Sequence, residues 1–254
     1  MATPAVTFNK EIQSSSLPIW FESLVGVDWM MLHLAPVYYG FGVPKGDGSA
    51  VILVPGFLGS DFYLFELYLW LRRIGYTPYL SGIGWNAECL NVLGSRLGKT
   101  IIQAYKETGK KVHLIGHSLG GVLSRSTAIQ HPAKVASVIT LASPYRGVRS
   151  HPWVLDMAER IRMRIFRQRV DDDHNPDCYT SYCECAAVAS LQNALPRRVL
   201  QTAIYSKIDG IVDWKVCVND DLSTDFEVTS THIGLAFNHE AYKLIAMRLR
   251  EAHS

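Results

Sequence analysis

What this chain lacks narrows its chemistry before any motif is read. It has no long block of lysines or arginines, and 25 basic against 23 acidic residues leave a formal net charge of only +2. Nucleic-acid binders concentrate positive charge, so that class is set aside. No internal repeat and no low-complexity tract appears. The first residues lack the basic start and apolar stretch of a secretory signal, so the chain reads as cytoplasmic or of undefined location. Cysteines are few and odd in number: Cys89, Cys178, Cys183, Cys185 and Cys217. Three cluster at 178–185, but a second Cys-x-x-Cys or a histidine pair is missing, so the spacing carries no strong zinc signature. A disulfide from that cluster to Cys217 or Cys89 stays open, and an odd count leaves at least one thiol unpaired in a monomer.

Long apolar runs are also absent. The nearest approach, residues 24–43, is interrupted by Asp28, His33, Pro36 and the glycines at 26, 40 and 42. An acid inside a membrane is expensive, and Pro with Gly breaks a helix. Residues 17–34 therefore read as a helix packed on the domain through Trp20, Leu24, Val27 and Met31, which recur at helical spacing. A strand over 36–40 is expected next. Contact of the same Trp- and Met-rich helix with lipid is the second reading.

What is present points to one large α/β core. The chain has 254 residues, 48% of them apolar, enough for a single sizeable domain. Residues 1–48 read as an N-terminal helix and first strand packed on the core, and 49–254 as the main domain. Strands are expected at 49–54, 77–80, 112–115, 135–141, 199–205 and 225–229. Helices are expected at 62–74, around Leu93, Leu97, Ile101 and Tyr105, at 121–129 and at 240–249. Such alternation means a mostly parallel sheet covered by helices on both faces. Active sites of such sheets lie at the carboxyl ends of the strands. Only 148–195 breaks the rhythm.

Gly116-His117-Ser118-Leu119-Gly120 sits where an apolar strand gives way to a helix. That context makes Gly-x-Ser-x-Gly a nucleophile elbow. The turn is so tight that positions two before and two after the serine crowd each other, hence glycine at both. The helix start adds positive partial charge beside the Ser118 hydroxyl. Pro55-Gly56-Phe57-Leu58-Gly59-Ser60 follows the first central strand, and a backbone N–H there can pair with that of Leu119 to hold an oxyanion. Phe57 is the favoured donor and Leu58 the runner-up.

The serine needs a base. Of nine histidines, His113 and His117 read as structural parts of the elbow. His33, His151 and His174 fall away from strand ends, His131 ends a helix on the opposite side, and His253 is in the tail. His232 follows the last strand and is the favoured base; His239 is better read as the start of the last helix. The base needs a carboxylate. Asp209, directly after a strand and before Gly210, is preferred to Asp213, which suits a helix start or a salt bridge.

These motifs, with Leu141-Ala142-Ser143-Pro144-Tyr145-Arg146-Gly147 and the order Ser118, Asp209, His232, resemble the α/β-hydrolase superfamily, lipase/esterase branch, from about Ala50 onward. Tyr145 stands where lipases often carry His, and Asp213 where they often carry Pro. The resemblance implies an α/β-hydrolase fold with a cap or lid at about 148–195. It also implies a serine esterase or lipase working through an acyl-enzyme, with a small-molecule or lipid ester as substrate and no cofactor. Acyl transfer by the same triad, or non-catalytic ligand binding on the same fold, are the alternatives. Within 148–195, Arg160, Arg162, Arg164, Arg167 and Arg169 alternate with Ile161, Met163, Ile165 and Phe166. A solvated face is the commoner meaning of that pattern, and an anionic interface the other. Asp171, Asp172, Asp173, His174 and Asp177 read as an exposed acidic loop, and no metal is assigned.

Overall fold

The computed structural model describes residues 8–168 and 183–252. The acidic run 171–173 with His174, Asp177, Cys178, Tyr179 and Tyr182 lies outside them, as does His253. Six strands form one sheet: β2 (Ala50–Val54), β3 (Thr77–Leu80), β4 (Val112–His117), β5 (Val135–Leu141), β7 (Leu200–Tyr205) and β8 (Asp225–Glu227). Their order is β3-β2-β4-β5-β7-β8, and every neighbouring pair is parallel. All carboxyl ends therefore open on one edge.

The central strands are buried along their whole length. Side chains alternate across a strand, so successive residues feed two cores, and such strands read as unbroken apolar runs. Val51, Leu53, Ile115, Ile139 and Leu141 join α2 (Phe65–Ile74) and α7 (His239–Glu251) on one face. Ala50, Ile52, Val54, Leu114 and Val138 join α3 (Leu90–Thr108) on the other, together with Leu123 of α4 (Leu119–Gln130). Helix α7 is N-capped by Asn238, whose Oδ1 accepts from the Glu240 and Ala241 amides at 3.0 Å each.

A second, two-stranded sheet pairs β1 (Asn9–Ser14) with β6 (Gly147–Ser150), also in parallel. Sequence patterning misses both strands, because neither alternates apolar and polar residues. After β6 the chain runs through α5 (Pro152–Gln168) and, beyond the undescribed residues, α6 (Ala186–Ser190) before rejoining the main sheet at β7. A bridge between Ser150 and Val212 ties the start of this excursion to the loop after β7.

The N-terminal segment departs from expectation twice. Residues 36–40 are not a strand: Pro36–Tyr39 is a 3-10 turn, with Pro36 at its first position and Gly40 closing it at φ 84°. Proline at the start and a left-handed glycine at the end outweigh the strand preference of Val37-Tyr38-Tyr39. The expected single helix over 17–34 is a 3-10 turn, Ile19–Leu24, running into α1 (Val25–Leu34). Its apolar stripe does not face the core. Trp20 is 68% exposed, Leu24, Val27 and Met31 are exposed as well, and only Leu32 of α1 is buried. Polar side chains hold this segment in place instead.

Candidate active site

Strand β4 runs into α4 through Ser118, which has φ 52° and ψ −125°. A non-glycine residue at positive φ is strained and is retained where the surroundings impose it. The imposition is visible in the two glycines. A Cβ on Gly116 would lie 2.5 Å from the Gly120 carbonyl carbon, and one on Gly120 would lie 2.2 Å from the Val54 carbonyl oxygen. The backbones can approach only because both lack a side chain.

Leu119 is the first helical residue, so its N–H has no acceptor one turn back. Across the cavity, the loop after β2 separates the two oxyanion candidates. The Leu58 amide donates to the Asn86 carbonyl oxygen at 3.0 Å, whereas the Phe57 amide has no hydrogen-bond partner among the described residues. Leu58 is therefore engaged, and Phe57 and Leu119 both line the same cavity as Ser118.

Asp209 and His232 are brought together by the turns after β7 and β8. His232 Nδ1 donates to Asp209 Oδ2 at 2.7 Å, with both side chains at most 4% exposed. The other Asp209 oxygen accepts from the Ile211 and Val212 amides at 2.8 Å each. Burial works to depress the His232 pKa, but the charge and hydrogen bond of Asp209, with Glu22 behind, raise it above the ordinary 6.5. His117 faces the His232 ring, centroids 4.8 Å apart, and its Nε2 donates to the His232 carbonyl at 2.9 Å. Burial and the neighbouring imidazole push the His117 pKa down to about 3, so it stays neutral. Ser118 Oγ and His232 Nε2 form no direct hydrogen bond; such contacts commonly tighten around substrate.

The other carboxylate candidate has a different job. Asp213 pairs with Arg149 at 3.1 Å and caps a 3-10 turn by accepting from the Lys215 amide. His239 begins α7. Buried His113 contacts Ser137 Oγ at 2.8 Å, in the sheet. Burial pushes the Cys217 thiol pKa well up, so it is no nucleophile.

Two residues that sequence reasoning did not single out as functional support this arrangement. Glu22 Oε1 accepts from the Gly210 amide at 3.0 Å and the His232 amide at 2.9 Å, and Oε2 accepts from the Ile233 amide at 3.0 Å. One carboxylate thus spans the aspartate and histidine loops. Asp28 of α1 contacts the Thr231 amide and hydroxyl and the Asn238 side chain, at 3.3–3.5 Å. The only sequence signal was Asp28 itself, a charge in an otherwise apolar segment.

The cavity beside Ser118 holds about 300 Å³. Its walls are Phe8 and Ile12 from the β1 segment, Val148 from β6, Ile211 and Val212 from the Asp209 turn, Leu90, and Val188 from α6. Helix α5 contributes Val154, Leu155, Ala158 and Arg162. Trp153 does not line it and is 60% exposed. The arginines of α5 are partly engaged: Arg160 pairs with Asp156 at 2.8 Å and Arg162 with Glu159. Among the described residues, the group able to hold a metal ion is Cys89, Cys183 and Cys185, separate from the Ser118–Asp209–His232 set.

Comparison with known proteins agrees with this fold. A family profile described as the alpha/beta hydrolase fold matches residues 106–168, which include the elbow. A triacylglycerol lipase of Burkholderia plantarii is 30% identical over 204 residues, covering 72% of this chain and 54% of that lipase. The chain spans about half the length of the curated relatives it matches. Among solved structures, Aspergillus fumigatus lipase B superposes with a TM-score of 0.56 at 16% identity, over 80% of this chain and 53% of that one. A Paleococcus ferrophilus monoacylglycerol lipase gives 0.52 at 14% identity, over 83% and 97%.

Proposed function

The chain belongs to the α/β-hydrolase superfamily, on its lipase and esterase side, and from that premise we propose that it cleaves carboxylic esters with Ser118 as nucleophile, His232 as base and Asp209 as its carboxylate. The observations that carry the reading are the buried Asp209–His232 pair, with His232 packed against the His117 ring next to the nucleophile position, and a strained Ser118 that lines an apolar cavity. His232 Nε2 takes the Ser118 proton as Oγ attacks the acyl carbon. The carbonyl π pair moves to oxygen, which rests on the Phe57 and Leu119 amides. Collapse expels the alcohol, protonated by the imidazolium, and leaves an acyl-serine. Water, deprotonated by His232, then releases the acid and restores Ser118. Asp209 fixes the tautomer with Nδ1 protonated and stabilises the cation formed in each half-reaction.

The cavity lining supports a hydrocarbon acyl group, since Phe8, Ile12, Leu119, Val154 and Leu155 offer it no polar partner. Helix α5 serves as the cap, closing the cavity over the serine and excluding water during acyl transfer. The exposed apolar stripe of the N-terminal segment supports a peripheral contact with a lipid surface, where such substrates reside. Hydrolysis of p-nitrophenyl esters of increasing acyl length tests the reading. Turnover should require Ser118 and should favour chains long enough to fill the cavity. Absence of hydrolysis across the series would reject it.

A further inference from the structure

A second chemical cluster lies beside the cavity wall and takes no part in ester cleavage. Cys89 sits at the start of α3, while Cys183 and Cys185 lie just before α6, on the returning end of the 148–195 excursion. Their three sulfur atoms lie within 4.8 Å of one another. Cys89 and Cys183 are buried and Cys185 is partly buried, and none of the three is in a disulfide. We propose that Cys89, Cys183 and Cys185 bind a structural zinc ion as thiolates, fastening the cap's return to the body of the domain.

The geometry favours a metal over a disulfide. A tetrahedral zinc with Zn–S bonds of about 2.3 Å holds its sulfurs about 3.8 Å apart, so sulfurs within 4.8 Å of one another need to contract by at most about 1 Å. A disulfide consumes two sulfurs and gives the third no reason to converge on them. Three thiolates without carboxylate or imidazole form a soft donor set, which selects zinc over magnesium or calcium. Binding releases the three thiol protons to solvent, and a fourth donor completes the tetrahedron. The neighbours of these cysteines explain what the ion would fix. Glu88 and Leu90 flank Cys89, Val188 follows Cys185 by one helical turn, and all three line the cavity beside Ser118. The proposal does not depend on ester hydrolysis.

The test is zinc content of the full chain purified under reducing conditions with zinc present, read by plasma mass spectrometry and by metal release on mercurial titration. About one zinc per chain is expected. Cys185→Ser should weaken zinc affinity on the order of 100-fold or more, whereas Cys217→Ala, outside the cluster, should leave it unchanged. Cobalt substitution should give thiolate-to-metal charge-transfer bands that Cys185→Ser loses. If that variant does not fold, competition of the wild-type protein with a chromophoric chelator reads the same affinity. Wild-type protein that holds no metal, yields it to the weakest chelator, or shows Cys89 joined to Cys183 or Cys185 in non-reducing peptide maps overturns the proposal.

Discussion

Glu22 gives the account its sharpest exposure, because nothing in its sequence context marks it. Its carboxylate accepts three amides from two loops, those of Gly210, His232 and Ile233. In Glu22→Gln the side chain keeps one carbonyl oxygen, enough for the Gly210 and His232 amides. Its NH2 group then faces the Ile233 amide, donor against donor. Loss of one charge-assisted bond costs about 1.5–3 kcal/mol. If all of it falls on placement of His232 in the transition state, turnover drops roughly 10- to 150-fold, at about 1.4 kcal/mol per factor of ten. Glu22→Ala removes all three acceptors and should cost more. The charge also acts on the imidazole. Glu22 helps raise the His232 pKa above 6.5, and the base works only when neutral. The rising limb of the kcat/KM profile should therefore have its midpoint above 6.5 in the wild type and move to lower pH in Glu22→Gln. The assay is a steady-state pH series on a soluble short-chain ester, with circular dichroism to check folding. A folded Glu22→Gln variant with wild-type kcat and an unmoved limb would refute the reasoning.

Asp209→Asn should lose activity by orders of magnitude, whereas Asp213→Asn should lose less than about tenfold, since its carboxylate serves Arg149 and a turn. Reversal of that ranking in ester kinetics would reassign the acid. Gly116→Ala pushes a Cβ into the Gly120 backbone and should destabilise by about 1–3 kcal/mol or abolish folding, read as a lowered Tm. Replacing Trp20 and Leu34, 68% and 72% exposed, with Asp should weaken binding to phospholipid vesicles while sparing hydrolysis of a soluble ester; unchanged vesicle binding would remove the lipid-contact proposal. Leu155→Ala should change the preference between short and long acyl chains, and Trp153→Ala should not, because only Leu155 lines the cavity.

How much the sequence discloses depends on the range of the interaction. The elbow is legible because its motif is compact in sequence: Gly116 lets the β4–α4 turn close on the Gly120 backbone, although Gly120 itself is required by the end of β2, where the Val54 and Pro55 carbonyls lie against it. The main strands are legible because burial on both faces leaves continuous apolar runs, as in Ala50–Val54. The pairing of Asp209 with His232 rests on the turn that follows β7 (Leu200–Tyr205), where Asp209 comes before Asp213 and next to Gly210. Glu22 is illegible because its partners lie 188 to 211 positions away. The stripe of Trp20, Leu24, Val27 and Met31 shows how periodicity misleads: spacing says that an apolar face exists and not what covers it. The Cys89 cluster is only half legible: spacing groups Cys183 with Cys185, but it leaves Cys89 and Cys217 as equal candidates to join them, because no spacing rule spans that distance.

The central claim is that Ser118 is a nucleophile activated by His232. A fluorophosphonate reacts with such a serine and with few other hydroxyls. The decisive measurement is intact-protein mass spectrometry after brief exposure to that reagent, followed by peptide mapping. A single adduct on Ser118 is expected in the wild type, none in Ser118→Ala, and a greatly slowed one in His232→Ala. Wild-type protein that stays unlabelled, or that carries its adduct on another residue, would contradict it.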